Sequence, residues 1–111
     1  MLDIQSIEVS ELFNLLKADP ETILVDVREE NEIAEISTQF SKSYPLSTLQ
    51  VGKVLDDLNL HEDSSQNIYI ICRSGKRSMH AALMFKESGF NNVVNVTGGM
   101  LEWIQEGFPT V

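Results

Sequence analysis

The only cysteine of this 111-residue chain, Cys72, lies between an apolar segment and a cationic one. Asn67 to Ile71 precede it, and Arg73, Lys76 and Arg77 follow it. A cysteine that ends an apolar segment is often only a small buried side chain. Positive charge close to a thiol, however, lowers its pKa, and the thiolate is the nucleophilic form of cysteine. The adjoining cations therefore favour a reactive cysteine at an anion-binding site.

The charge of the chain is unevenly distributed around this cysteine. The 17 Asp and Glu residues give a net charge of -9, yet none lies between Ser64 and Lys86, a segment that holds half of the 8 Lys and Arg residues. About three or four acids would fall in such a window by chance. An acidic chain is atypical of nucleic-acid-binding proteins, which neutralise phosphates with a basic surface. The positive segment is better suited to a small anion.

Cysteine and histidine counts limit the remaining chemistry. One cysteine cannot form an internal disulfide or a cysteine-based zinc site, and His61 and His80 lack partners at metal-ligand spacing. We therefore expect no metal and no cofactor. Met1 to Ser6 show neither the basic start nor the apolar stretch of a secretion signal, and no apolar run is long enough to span a bilayer. We expect a cytoplasmic protein that binds neither membranes nor nucleic acids.

Short apolar segments alternate along the chain with segments of helical periodicity. The sequence predicts strands near residues 7–9, 22–27, 42–44, 67–71 and 92–96. It predicts a helix capped by Ser10, helices at 31–36, 47–58 and 78–88, and a short one after Gly98 and Gly99. This alternation is typical of an α/β fold with a mainly parallel sheet and helices on both faces. At this length we expect one domain, residues 1–111.

These elements place Cys72 at the edge of the sheet where ligands bind. In open α/β sheets, ligands lie beyond the carboxyl ends of the strands, in the loops that lead into helices. Cys72 directly follows the strand that ends at Ile71. Gly75 lets the loop amides curve inward, so that they and the first-turn amides of the next helix point towards one anion. The expected site is an activated thiolate without a neighbouring base.

Residues 72–78, CRSGKRS, resemble the active-site loop of the rhodanese family of sulfurtransferases. Nearly the whole chain is similar to this family in the same order, with LVDVRE at 24–29, Pro45-Leu46, GGMLEW at 98–103 and Gly107-Phe108-Pro109. The resemblance implies a rhodanese-like three-layer fold around a five-stranded sheet. It also implies that Cys72 accepts a sulfane sulfur and carries it as a persulfide.

The resemblance further implies roles for the residues of the loop. Cys72 would attack a small anionic sulfur donor such as thiosulfate and pass the sulfur to a thiol, to cyanide or to a protein acceptor. The implied substrate-binding residues are Arg73, Ser74, Gly75, Lys76, Arg77 and Ser78. We rank Arg77 above Lys76, because a planar guanidinium binds an oxyanion with two hydrogen bonds. Ser78 suits a helix cap as well as a hydrogen-bond donor.

Two alternative functions remain open. Tyrosine phosphatases have His before the cysteine and five residues between the cysteine and the loop arginine. Here Ile71 replaces the His, and four residues separate Cys72 from Arg77. The shorter loop favours sulfane sulfur over phosphate, and it equally disfavours the related arsenate reductases. The closer alternative is a sulfur-carrying or regulatory module that binds a protein partner and turns over small donors slowly.

One segment, residues 33–44, departs from the family pattern. Family members often carry Gly, His, Pro and Gly at four positions that are here occupied by Ile36, Ser37, Gln39 and Phe40. Any turn in this segment must therefore use backbone dihedrals that do not depend on glycine. Just before it, Asp26 and Arg28 follow a predicted buried strand. We expect a structural ion pair between them, with Glu32 as a further partner.

Overall fold

The computed structural model describes residues 3–111, which form a five-stranded sheet flanked by α-helices. The strands are β1 (Gln5–Glu8), β2 (Ile23–Asp26), β3 (Ser41–Ser43), β4 (Ile68–Ile71) and β5 (Val93–Thr97). The helices are α1 (Val9–Ala18), α2 (Glu30–Glu35), α3 (Val51–Asp57), α4 (Lys76–Glu87) and α5 (Gly99–Gln105), with a 3₁₀ turn at Leu46–Thr48. The strand order is β1-β5-β4-β2-β3, and these pairings are parallel. The predicted α/β class and five-stranded sheet are confirmed.

Side chains on the two faces of the sheet form two separate cores. On one face, Ile70 of β4 joins a cluster with α3 and α4 that contains Phe85. On the other face, the next residue, Ile71, joins a cluster with α1 and α5 that contains Trp103. Successive side chains of a strand point to opposite faces, so a sheet covered on both sides needs an unbroken apolar run. Each buried side chain of this size contributes about 1.5–3 kcal/mol, which makes β4 a rigid support for the residue that follows it.

Three helices begin two or more residues away from the predicted position. α1 begins at Val9 instead of after a cap at Ser10, because β1 extends to the preceding residue and Val9 is buried in the core. α4 begins at Lys76, two residues earlier than predicted, because Gly75 takes a left-handed conformation with a φ of 103° and turns the chain into the helix. The predicted helix at 47–58 divides into the 3₁₀ turn and α3.

The segment that departs from the family pattern bends without any left-handed residue. None of residues 33–44 has a positive φ. The guanidinium of Arg28 forms a buried ion pair with Asp26 at 2.8 Å and also donates hydrogen bonds to the carbonyl oxygens of Glu32 and Ile36. The expected Asp26–Arg28 pair is present, but Glu32 contributes its backbone and not its carboxylate. Arg28 thereby fixes the end of α2 beside the end of β2.

The helices are short compared with a membrane span. The longest, α4, has 12 residues, whereas a helix needs about 20 apolar residues to cross a bilayer. Within residues 3–111, no helix has the length and apolar character of a membrane-spanning segment. The cytoplasmic location stays a prediction.

Candidate active site

Cys72 lies at the carboxyl edge of the sheet, one residue beyond β4. β2 and β5 flank it, because both strands pair with β4 in parallel. Arg73 to Gly75 connect Cys72 to the first residue of α4. The structure therefore positions the cysteine between the central strand of the sheet and the N-terminus of its longest helix.

The sulfur atom of Cys72 is hydrogen-bonded to its own loop and to the first turn of α4. The backbone N–H of Gly75 donates to Sγ across 3.0 Å, and the hydroxyl oxygen of Ser78 lies 3.3 Å from the same atom. Gly75 can present its amide in this way because its left-handed backbone reverses the chain, a conformation that a side chain would strain. Cys72 is only 1% exposed, so protein groups rather than water surround its sulfur.

These contacts determine the acidity of the thiol. Burial by itself raises the pKa of Cys72. Hydrogen bonds from the Ser78 hydroxyl and from the backbone amides of Ser78, Gly75 and Ser74 outweigh burial, and the pKa is lowered below its ordinary value. The amides of the loop and of the first helical turn thus stabilise the thiolate as a helix N-terminus stabilises an anion. Hydrogen bonding is the main cause, and not the cationic side chains that the sequence indicates.

The three loop cations differ in their surroundings. Arg73 and Lys76 are exposed. Arg77 instead donates from both terminal nitrogens to the carboxylate of Glu32, at 2.6 and 2.9 Å. The hydrogen bonds of this pair are the largest contribution to both shifts: they raise the pKa of Arg77 and lower that of Glu32 to about 2. Attraction to the Cys72 thiolate also raises the pKa of Arg77, so this residue connects α2 to the site electrostatically.

Ser78 lies in the first turn of α4 but does not cap the helix. Gly75 occupies the N-cap position, and Ser78 is buried. Its hydroxyl donates to Oδ1 of Asn95 at 2.5 Å, and Nδ2 of Asn95 donates to the carbonyl oxygen of Gly75 at 3.3 Å. Asn95 is absent from the residues that sequence analysis assigns to the site. A single amide within the apolar run at 93–96 nevertheless indicates a buried polar contact, since a buried amide needs hydrogen-bond partners.

The N-terminus of α5 contacts the other side of the loop. The backbone N–H groups of Met100 and Leu101 donate to the carbonyl oxygens of Cys72 and Arg73, at 2.8 and 3.1 Å. Gly99 lies so close that a Cβ atom at this position would approach both carbonyl oxygens to 2.5 Å. Its φ of 56° disfavours a side chain as well. The glycine that the sequence assigns to a turn therefore also shapes the reactive loop.

This arrangement can stabilise negative charge at one atom. Amide N–H groups point at Sγ, while the carbonyl groups of Cys72 and Arg73 are turned away towards α5. Within residues 3–111, no carboxylate or imidazole is hydrogen-bonded to the thiol. A thiolate that is stabilised by fixed amides can attack an electrophilic sulfur without a general base.

Comparisons with known proteins cover this site and both cores. The family model described as Rhodanese-like domain matches residues 8–106. The Bacillus subtilis (strain 168) protein YtwF, named as a candidate sulfurtransferase, is 33% identical over 109 residues, which cover 97% of this chain and 98% of YtwF. The thiosulfate:glutathione sulfurtransferase of Saccharomyces cerevisiae is 28% identical over 113 residues, which cover 95% of this chain and 81% of the yeast protein.

Solved structures agree with the sequence matches. A rhodanese-related protein from Thermoplasma volcanium superposes with a TM-score of 0.77 at 33% identity, and the superposition covers 96% of this chain and 97% of that protein. The family match includes β4, the loop after Cys72 and the α5 glycines, which are the elements that build the site. The chain is thus a member of the rhodanese-like domain family, as its active-site loop suggests.

Proposed function

We propose that this protein is a sulfurtransferase that carries a sulfane sulfur as a persulfide on Cys72. The observation that carries the proposal is the Gly75 N–H, which is directed at Sγ from 3.0 Å in front of a helix N-terminus. Such amides stabilise the thiolate that attacks the donor and the thiolate that is released when the sulfur leaves. Membership of a family with sulfurtransferase-named relatives supports the same reaction.

The reaction has two displacement steps. In the first, the Cys72 thiolate attacks the outer sulfur of thiosulfate or a similar anionic donor. A bond forms between Sγ and that sulfur, the sulfur–sulfur bond of the donor breaks, and sulfite leaves with the bonding electron pair. In the second step, a thiolate, cyanide or a cysteine of a protein acceptor attacks the outer sulfur of the persulfide. The Sγ–sulfur bond breaks, and Cys72 is released as a thiolate.

The loop cations are proposed to bind the anionic part of the donor. Arg73 and Lys76 are exposed and can reach the oxygens of a sulfonate group above the loop. Arg77 adds positive charge while it stays paired with Glu32, so its rank above Lys76 stays a prediction. The buried Ser78 hydroxyl acts on the sulfur and not on the donor oxygens. Because Cys72 is almost fully buried, a donor that carries its reactive sulfur at the tip of a small molecule fits best.

The name of the yeast relative supports thiosulfate as a donor and glutathione as an acceptor for this chain as well. Incubation with thiosulfate followed by intact-mass spectrometry tests the first step. Wild type should gain the mass of one sulfur atom and lose it on reduction, and addition of cyanide should yield thiocyanate. If wild type gains no sulfur, or if Cys72→Ser gains as much, the proposal is wrong.

The same experiment separates the alternatives. A protein that is fully loaded by thiosulfate, but releases little sulfur to cyanide or glutathione, would act as a sulfur carrier that needs a protein partner. Hydrolysis of an aryl phosphate that depends on Cys72, without sulfur loading, would instead indicate a phosphatase. Far-UV circular dichroism of Cys72→Ser provides the control that a loss of loading does not reflect a loss of the fold.

A further inference from the structure

We propose that Asn95 is a positioning residue that holds the hydroxyl proton of Ser78 away from Cys72 and thereby limits ionisation of the thiol. The inference rests on the proposed function, in which Cys72 is the nucleophile. Asn95 lies on β5, and its side chain is hydrogen-bonded to Ser78 and to the carbonyl oxygen of Gly75 and not to the sulfur. We assign its effect on the nucleophile to the contact with Ser78.

The hydroxyl of Ser78 has more acceptors within reach than protons to donate. The hydroxyl of Ser78 carries one proton and can donate it to one acceptor at a time. Two acceptors lie within reach: Oδ1 of Asn95 at 2.5 Å and Sγ of Cys72 at 3.3 Å. The shorter contact favours the amide oxygen as the acceptor of this proton. Ser78 therefore stabilises the thiolate fully only when its proton leaves Asn95.

A second hydrogen bond fixes the orientation of the Asn95 amide. Nδ2 of Asn95 donates to the carbonyl oxygen of Gly75, which keeps Oδ1 facing Ser78. A flip of the amide would turn Oδ1 towards the Gly75 carbonyl, so that two acceptors would face each other. The carbonyl of Gly75 thus fixes Asn95 as an acceptor for the Ser78 proton.

Ionisation of Cys72 changes which group accepts the Ser78 proton. In the thiol state the S–H donates to the oxygen of Ser78, and the O–H of Ser78 donates to Asn95, so each group has a partner. On ionisation the thiol proton leaves to solvent, and the Ser78 hydroxyl turns its own proton to the sulfur. Oδ1 of Asn95 then loses its donor in a site where Cys72, Ser78 and Asn95 are at most 3% exposed. An unsatisfied buried acceptor costs free energy, so Asn95 opposes ionisation.

The charged groups around the thiol are the same in wild type and in an Asn95 variant. Arg77 on α4 attracts the thiolate and is itself paired with Glu32 of α2. At the end of β2, Asp26 and Arg28 form their own buried ion pair. On α5, the side chain of Glu102 lies over Gly98, and β5 has no ionisable residue. Substitution of Asn95 changes none of these charges, so a change in thiol acidity in an Asn95 variant does not come from a changed charge.

The rate of alkylation by iodoacetamide as a function of pH measures the fraction of thiolate. Asn95→Leu keeps the size of the side chain but removes the competing acceptor. We expect the midpoint of this pH–rate curve to fall by about half to one pH unit. Below the midpoint, such a shift corresponds to about three- to tenfold more thiolate. Asn92→Leu is the matched control, because Asn92 precedes the opposite end of β5 and donates to Ser64. Its midpoint should equal that of wild type.

A double-mutant cycle with Ser78→Ala distinguishes positioning from a general loosening of the loop. Ser78→Ala alone should raise the midpoint, and Asn95→Leu should lower it less in the Ser78→Ala background than in wild type, the difference being the effect that acts through Ser78. Loss of the Asn95–Gly75 hydrogen bond is common to both backgrounds and cancels. If Asn95→Leu does not fold, as judged by circular dichroism and thermal melting, Asn95→Val replaces it, since β-branched residues suit a strand.

The inference is overturned if the midpoint stays unchanged or rises in the Asn95 variant, or if it falls equally with and without Ser78. Sulfur loading from thiosulfate is measured on the same samples. Loading by wild type together with an unmoved midpoint rejects the role of Asn95 and keeps the proposed function. A shifted midpoint without any loading rejects the proposed function and keeps the role of Asn95 in thiol acidity.

Discussion

Glu32→Gln removes the negative charge that holds Arg77 while the size of the side chain is preserved. In the wild-type protein both terminal nitrogens of Arg77 donate to the Glu32 carboxylate, at 2.6 and 2.9 Å. The two side chains are only 26% and 33% exposed, so this is a partly buried bidentate pair and not a loose surface contact. Its loss should therefore be measurable as a lower free energy of unfolding.

The magnitude follows from the pKa of Glu32. Hydrogen bonding by Arg77, then the Glu29 amide and the charges of Arg77 and Arg28, outweigh partial burial and lower this pKa from 4.5 to about 2. At about 1.4 kcal/mol per unit, the difference corresponds to roughly 3 kcal/mol without solvent screening. Because both side chains are partly exposed, we discount this to about 1–1.5 kcal/mol for the variant near pH 7.

The sign of the pH dependence is fixed by the direction of the shift. The pKa of Glu32 is lower in the folded protein than in the unfolded chain, so the pair stabilises the fold above about pH 4.5 and loses this effect as the pH falls towards 2. Urea denaturation of wild type and Glu32→Gln between pH 7 and pH 3 should show a difference that shrinks with falling pH. Added salt should also reduce it, because the pair is partly exposed.

Glu35→Gln is the matched control for this measurement. Glu35 lies on the same short helix, is exposed, and forms no ion pair with any residue in 3–111. Its substitution should change the free energy of unfolding by less than about 0.5 kcal/mol. An equal effect of both substitutions, or a Glu32 effect that does not depend on pH, would refute the assignment of this energy to the Glu32–Arg77 pair.

Two further predictions concern the loop itself. In chemical denaturation, Gly99→Ala should lower the free energy of unfolding by about 2–4 kcal/mol, because the new Cβ would meet two loop carbonyl oxygens at 2.5 Å. Gly52→Ala is the control, because Gly52 lies inside α3 and a Cβ there would have no atom within 4 Å. This substitution should be neutral or stabilising in the same assay. Lys76→Ala should raise the KM for thiosulfate about three- to tenfold and leave kcat nearly unchanged, whereas Lys86→Ala in the last turn of α4 should change neither. Equal effects within either pair would contradict the role given to the loop residue.

The sheet and the position of the cysteine can be predicted from sequence because they depend on local patterns. The apolar run that ends at Ile71 predicts a strand, and the structure places this strand at the centre of the sheet. The boundaries of helices and strands are harder to predict from sequence. The start of α4 depends on the dihedral angles of Gly75, and the start of α1 depends on the burial of Val9. Neither quantity is encoded in hydrophobic periodicity.

The contacts that tune the site join residues far apart in the chain, so local patterns do not reveal them. Glu32 and Arg77 are 45 residues apart, and Ser78 and Asn95 are 17 apart. The acid-free segment around Cys72 predicts an unpaired cluster of cations, yet α2 brings a carboxylate to Arg77. Charge patterns along the sequence therefore indicate the segment that holds Cys72 but overstate its free positive charge.

The orientation of the peptide groups in the loop explains how a largely buried sulfur can be held as an anion. The carbonyl oxygens of Cys72 and Arg73 accept hydrogen bonds from α5, and that of Gly75 accepts one from Asn95. Each of these carbonyls is thus satisfied away from the sulfur, which leaves the opposite, N–H sides of the loop directed inward. A carbonyl turned inward would repel the thiolate and cancel part of the stabilisation. Because the anion site is built from backbone amides and the buried Ser78 hydroxyl, the proposed selection of the donor by exposed side chains such as Lys76 would leave the nucleophile unaltered.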